Sequence, residues 1–170
     1  MASKMLLQIE LLMVGVLCVI GFVGGGYAAE LPKKFDFSAT YFTNGTLAPV
    51  VEFGAKQKAM GMDQTIMATN DKNEPFLNNM AAKCASLALF GPDQTEGGGY
   101  CAFVDADGDN IYEKWTYSDR NSGAIKFSGG TGKFAGLECE GTWKRVVPMK
   151  AAAPGTFQGV GIKKGTCMFR

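Results

Sequence analysis

Residues 100–117, with the sequence YCAFVDADGDNIYEKWTY, give the clearest structural signal in the chain. Aromatic and β-branched residues, which favour strands, occupy both ends of this stretch. The middle, from Asp105 to Asn110, consists of residue types that favour turns. The stretch therefore predicts a β-hairpin with strands at 100–104 and 111–117.

Similar short runs lie on both sides of this hairpin, and no segment after residue 30 keeps a helical apolar period over several turns. The runs predict further strands at 35–42, 50–53, 60–68, 84–89, 124–128, 136–147 and 156–169. Asn44-Gly45 predicts a turn after the first of these strands. Residues 78–83 are compatible with a single helical turn before the fourth.

About eight short strands at regular spacing predict a mainly β chain. The fold expected from them is a single closed antiparallel β-barrel, because closure leaves no strand edge exposed. A β-sandwich is the alternative.

The N-terminal segment, residues 1–28, differs in character from the rest of the chain. Lys4 gives it a short positive end, and residues 11–23 form an uncharged apolar run. Gly26 and Ala28 are small residues at the positions that permit cleavage after residue 28. This is the layout of a signal peptide.

Retention of the same segment as an apolar helix is the alternative, because residues 11–29 carry no charge and are nearly long enough to cross a bilayer. The predicted domains are therefore a signal peptide or membrane anchor at 1–28 and a β-barrel domain at 29–170. The barrel domain is expected to be periplasmic or secreted, or else anchored to the membrane on the side away from the cytoplasm.

The cysteine count supports an oxidising compartment. Of the five cysteines, Cys18 lies in the leader and leaves Cys84, Cys101, Cys139 and Cys167. An even number in an exported domain predicts two disulfides, for which three connectivities are possible. We favour Cys84 with Cys101 and Cys139 with Cys167, because the first pair brackets a glycine-rich connection between two strands. A metal site is disfavoured, because no C-x-x-C pair is present.

Two composition features exclude classes of function. The chain has no histidine, which excludes Ser-His-Asp and Cys-His catalysis and histidine-ligated zinc within it. Its 17 Lys and Arg balance 16 Asp and Glu, so there is no basic footprint for nucleic acid. We therefore predict neither a catalytic residue nor a nucleic-acid partner.

The acidic loop of the hairpin carries alternate carboxylates at Asp105, Asp107 and Asp109, an arrangement that can gather oxygen ligands for calcium. An EF-hand loop would need glycine where the chain has Asn110 and glutamate where it has Thr116. We interpret the loop as a hairpin turn, with calcium as the alternative and no other cofactor predicted.

A glycine-rich segment, GGTGKFAG at 129–136, superficially matches phosphate-binding loops. A strand-like run follows it, whereas a phosphate loop needs a helix at that point. Gly129, Gly130 and Gly132 are instead predicted to form a tight turn at a barrel rim.

This segment also resembles the corresponding turn of dirigent and allene oxide cyclase-type barrels. Several other short motifs share the resemblance, which extends to small exported bacterial proteins of that barrel type: Cys84, Tyr100-Cys101, Asp105-x-Asp107-Gly108-Asp109 and Gly155-Thr156-Phe157-Gln158-Gly159. The resemblance implies an eight-stranded barrel with an apolar interior. No catalytic residue of the plant enzymes matches a position here, so the resemblance carries no cyclase activity to this chain.

Several charged pairs on the predicted strands are open to two interpretations. Glu138 and Glu140 could form an acid/base pair in a barrel mouth, although an outer solvated face is the simpler interpretation. Lys144-Arg145 and Lys163-Lys164 are interpreted as solvated faces.

Four aromatic residues are the candidates for a ligand cavity, with an ordinary core as the alternative: Trp115, Tyr117, Trp143 and Phe157. Together these features predict an exported barrel module that binds a small apolar ligand or a protein partner without catalysis. One alternative is a membrane-anchored accessory subunit of a larger membrane complex, and another is a carboxylate-dependent, cyclase- or isomerase-like enzyme.

Overall fold

A computed structural model describes residues 31–53 and 56–170. The predicted signal peptide or anchor at 1–28 lies outside these residues. Among the residues described, no helix has both the length and the apolar character needed to span a bilayer.

The described residues form nine strands and one short 3₁₀ turn at Gly132–Phe134. The strands are β1 (Lys34–Leu47), β2 (Val51–Phe53), β3 (Gln57–Asn70), β4 (Met80–Phe90), β5 (Thr95–Val104), β6 (Asn110–Asp119), β7 (Ser122–Ser128), β8 (Leu137–Pro148) and β9 (Thr156–Phe169).

The sheet closes on itself through β1. Strands β3 to β9 pair antiparallel in sequence order, and β1 pairs with β9 on one side and with β3 on the other. Strand β2 pairs with β3 at one end, outside the ring. The prediction of a closed eight-stranded barrel is confirmed, and the sandwich alternative is wrong.

Glycines on β9 make room in the lumen for aromatic rings from β1. A Cβ atom at Gly161 would lie 2.3 Å from Cζ of Tyr41, and one at Gly165 would lie 2.9 Å from Cε1 of Phe37. Both contacts are too close for any side chain at these two positions. Lys163, between them, is therefore the long inward-facing side chain in the middle of β9.

One end of the barrel, here called the closed end, is sealed by the loops at 71–79, 105–109 and 129–136. Phe76 enters the lumen from the first of these loops and is completely buried. Its ring lies 5.0 Å from that of Phe37 and 5.3 Å from that of Phe127, in edge-to-face geometry. The loops at 48–50, 91–94, 120–121 and 149–155 lie at the opposite end, here called the open end.

The buried Asn70 side chain holds the loop that carries Phe76. Its amide donates to the carbonyl of Phe76 at 2.9 Å, and its oxygen accepts from the backbone N–H groups of Lys72 and Glu74. These bonds satisfy backbone groups that would otherwise be buried without partners. The loop therefore has a fixed conformation and acts as a plug, which holds Phe76 in the lumen.

Both predicted disulfides are present. Cys84 bonds to Cys101 across β4 and β5, and Cys139 bonds to Cys167 across β8 and β9. Each pair is directly opposed in the antiparallel register and buried. Crosslinking over 17 residues, as in the first pair, contributes on the order of 3 kcal/mol by constraining the unfolded chain.

Two local predictions are wrong. Asn44-Gly45 is not a turn, because β1 continues to Leu47. A Cβ atom at Gly45 would lie 2.7 Å from the Phe157 ring, so this glycine admits an aromatic ring. Residues 78–83 do not form a helical turn, because β4 begins at Met80.

We expect Phe76→Ala to lower the free energy of unfolding by about 3–5 kcal/mol, because it leaves a cavity among four aromatic rings. Urea unfolding measures this loss. Phe42→Ala, on the outer wall and about half exposed, is the control and should cost less than about 1 kcal/mol. Equal losses would contradict the plug.

Candidate binding site at the open end

A buried ion pair spans the middle of the lumen. The Nζ atom of Lys163 on β9 contacts Oε2 of Glu113 on β6, and two strands of the ring separate these two strands. Both side chains are at most 3% exposed. Buried charges require such pairing, because an isolated charge in an apolar interior is strongly unfavourable.

Aromatic rings surround the lysine. Nζ of Lys163 lies 4.9 Å from the ring centroid of Phe103, 5.3 Å from that of Tyr41 and 5.8 Å from that of Phe127. Burial lowers the pKa of Lys163, and the neighbouring Glu113 carboxylate acts in the opposite direction. The ring faces add cation–π attraction to the ion pair.

The interpretation of Lys163 as a solvated residue is wrong, and Glu113 was not among the predicted site residues. Both positions follow from strand alternation. Glu113 lies two residues from the buried Ile111 and Trp115 on β6, and therefore on the same face.

Above the ion pair, toward the open end, lies a cavity of about 40 Å³. Its walls combine aromatic, aliphatic and polar side chains: Tyr41, Thr43, Met62, Gln64, Ile66, Trp115, Tyr117, Trp143, Arg145 and Phe157, with Glu113 and Lys163. The four aromatic residues predicted to line a ligand cavity are all in this wall. Trp115, Tyr117 and Trp143 pack edge to face, with ring centroids 5.1–5.7 Å apart.

The cavity adjoins a wider vestibule of about 530 Å³ that is open to solvent. Met62, Tyr117, Arg145 and Phe157 line both spaces. The remaining vestibule residues are Leu47, Lys56, Lys58, Met60, Phe90, Arg120 and Asn121. The vestibule volume is within the range of small-molecule sites, about 300–1,000 Å³.

Arg145 is partly buried where the cavity meets the vestibule, so its interpretation as a solvated residue is wrong. Its backbone N–H donates to the carbonyl of Asn121 at 2.7 Å, and a β-bulge follows it in β8. A Cβ atom at Gly159 would lie 3.5 Å from its Nε, so the arginine side chain lies across that glycine.

Burial raises the pKa of Tyr41 and Tyr117 above the ordinary value for tyrosine, and the Arg145 charge acts in the opposite direction on both. Both phenols are therefore neutral hydrogen-bonding groups at neutral pH.

Two tryptophan N–H groups in the cavity wall differ in their hydrogen bonding. Nε1 of Trp143 donates to the carbonyl of Thr116 at 3.0 Å. Nε1 of Trp115 is buried and has no acceptor among the described residues. Buried donors are nearly always paired in folded proteins, so this N–H is one of the few exceptions.

The two loop motifs singled out from the sequence meet at the closed end. Nζ of Lys133 lies 2.7 Å from Oδ2 of Asp105 and 2.5 Å from Oδ2 of Asp107. Oδ2 of Asp109 accepts from the backbone N–H of Lys133 at 3.1 Å. Oδ1 of Asp105 also accepts from the backbone N–H groups of Asp107 and Asp109, each at 2.9 Å.

This hydrogen bonding is that of a hairpin turn fastened to its neighbouring loop. No group of three or more acidic, cysteine or histidine residues arranged to hold a metal ion occurs in the described part of the chain. Gly129, Gly130 and Gly132 all have positive φ, as a tight rim turn requires. A Cβ atom at Gly132 would overlap the Asp109 carboxylate.

Glu138 and Glu140 lie on the outer face of β8. Glu140 is exposed and pairs with Lys126 at 3.2 Å, and Glu138 pairs with Arg170 at 2.6 Å. Neither side chain lines the cavity or the vestibule. The geometry therefore does not form the acid/base pair in a barrel mouth considered for them.

No protein-family model and no curated protein matches this chain. Among solved structures, the chain is similar to the pterocarpan synthase dirigent protein GePTS1, with a TM-score of 0.50. The match covers 82% of this chain and 94% of that one, at 10% sequence identity. The fold is therefore that of a dirigent-type barrel, as the resemblance implies. The likeness to exported bacterial proteins stays a prediction.

We expect Lys163→Met and Glu113→Leu each to lower the free energy of unfolding by about 3–5 kcal/mol, because each leaves an unpaired buried charge. The double variant should recover most of that loss, because an apolar pair replaces the ions. A double-mutant cycle by urea unfolding measures this recovery.

The matched control for this cycle is Lys126→Met, which breaks the exposed pair with Glu140 and should cost less than about 1 kcal/mol. Additive losses in the double variant would contradict the coupling of Lys163 and Glu113.

Proposed function

We propose that the protein is an exported barrel module that binds a small molecule with an aromatic or otherwise apolar body at the open end, without chemical conversion. One observation carries the proposal: a cavity walled by Trp115, Trp143 and Phe157 widens into a solvent-open vestibule, while the closed end is filled by Phe76. Small-molecule sites have this form, a largely apolar concavity with a few placed polar groups.

The polar groups of the site support a ligand that also carries a hydrogen-bond acceptor. The phenols of Tyr41 and Tyr117 line the cavity, as does the side chain of Arg145. The side chains of Thr43 and Gln64 are already hydrogen-bonded to each other at 3.1 Å. The ligand therefore meets hydrogen-bond donors in a largely aromatic wall, which favours an oxygen or nitrogen substituent on an aromatic ring.

Export is part of the proposal, with residues 1–28 as a cleaved signal peptide and the domain at 29–170 as the mature protein. Two buried disulfides support it, because such bonds persist in oxidising compartments. An anchored accessory subunit and a protein partner are the competing hypotheses.

A neutral fluorescent probe, N-phenyl-1-naphthylamine, tests the binding site. We expect its emission to rise on binding to the wild-type protein and to stay low with Met62→Trp, because Met62 lines both the cavity and the vestibule. Met67→Trp is the control, since Met67 lies on the same strand but faces outward and is 62% exposed. Binding that survives Met62→Trp would place the probe elsewhere and overturn the proposal.

N-terminal sequencing of the protein recovered from its native source tests export. We expect the mature chain to begin at Ala29, because Gly26 and Ala28 permit cleavage there. An N-terminus at Met1 or Ala2 would contradict the cleaved signal and favour the membrane anchor.

A further inference from the structure

The walls of the vestibule carry positive charge and no negative charge. Lys56, Lys58, Arg120 and Arg145 line it, and no Asp or Glu of the described residues does so. The whole chain is almost balanced, with 17 cationic and 16 acidic residues. The lining of the vestibule, rather than the open end as a whole, therefore carries a surplus of positive charge, and such a cleft attracts anions.

Arg145 is the cation of this set that reaches farthest inward. It alone among the four also lines the cavity. Among the described residues no carboxylate lies within ion-pair distance of it, whereas Lys58 pairs with Glu52 at 2.5 Å. A partly buried guanidinium without a carboxylate partner is suited to an anionic oxygen group, which it binds with two parallel hydrogen bonds.

The neighbours of Arg145 fix where such a group would lie. The side chain crosses Gly159, and its backbone is held by the carbonyl of Asn121. Phe157 and Tyr117 line the same junction between cavity and vestibule. When the anionic group of a ligand binds Arg145, the apolar part of the same ligand can therefore contact these aromatic rings.

We propose that the ligand is an aromatic anion, whose carboxylate, sulfonate or similar oxygen group pairs with Arg145 while its rings enter the aromatic part of the site. This inference rests on the proposed function, because it names the ligand class of the same site. It adds a specificity-determining residue, Arg145, and an orientation with the charged group nearest the junction.

Two probes that differ by one sulfonate group test this inference. 8-Anilino-1-naphthalenesulfonate carries a sulfonate on the framework of neutral N-phenyl-1-naphthylamine. We expect the wild-type protein to bind the sulfonate roughly tenfold more tightly, a difference of about 1.4 kcal/mol. Added salt should weaken binding of the anionic probe and leave that of the neutral probe unchanged.

Arg145→Met should abolish the preference for the sulfonate, measured as the ratio of the affinities for the two probes. Lys164→Met is the matched control, because Lys164 is an exposed cation on the outer face of β9. Should Arg145→Met fail to fold, Arg120→Met, in the exposed loop at the open end, should reduce the preference severalfold.

The outcomes separate the two proposals. Equal affinity for both probes, or a preference that persists in Arg145→Met, overturns the anion inference and leaves the binding function standing. Failure of both probes to bind overturns the proposed function itself. A preference that Lys164→Met removes equally would assign it to general surface charge and would also overturn the role of Arg145.

Discussion

The ion pair between Lys163 and Glu113 divides the barrel into two halves with different properties. On one side of it the lumen is filled by the rings around Phe76, and on the other side the walls diverge into the vestibule. The pair is tolerated in this position because the two charges are in direct contact and aromatic faces surround the lysine. The wall of the lumen is the closed sheet of a dirigent-type fold. The ion pair marks the boundary between the filled half and the open half of that lumen.

The glycines of β9 are the condition for that arrangement. In an ordinary strand, inward side chains at 161 and 165 would collide with Tyr41 and Phe37. Because glycine has no side chain, the rings of Tyr41 and Phe37 and the side chain of Lys163 occupy this part of the lumen. The fold tolerates these glycines because β9 is paired along its length with β1 and β8, so its conformation does not depend on its own side chains.

Much of the fold follows from local sequence signals. The hairpin at 100–117 follows from strand alternation and turn chemistry, both of which act over short distances. The cysteine count allowed three connectivities, and the favoured one is present. Gly45 shows where that reasoning fails: its turn signal is overridden by long-range pairing on both edges of β1 and by the Phe157 ring. A tertiary contact of this kind has no local signature.

The site was less accessible from the sequence. From the sequence, two basic pairs are interpreted as solvated, Lys144-Arg145 and Lys163-Lys164. Consecutive residues of a strand face opposite sides of the sheet, so one member of each pair must face inward. Which one faces inward depends on the register of the strand. Buried residues an even number of positions away, such as Trp143 and Cys167, indicate that register. The aromatic candidates were correctly grouped, because Trp115 and Tyr117 alternate on one strand. Their proximity to Arg145 could not be predicted from one strand, because it depends on the closure of the barrel.

A crystal structure of the protein bound to 8-anilino-1-naphthalenesulfonate would show directly whether the open half of the barrel is the binding site. We expect the sulfonate within hydrogen-bond distance of the Arg145 guanidinium and the rings against Phe157 and Tyr117, with the Lys163 and Glu113 pair intact beneath them. A probe bound on the outer wall, or one with its sulfonate in solvent and its rings at the open end, would contradict this binding mode.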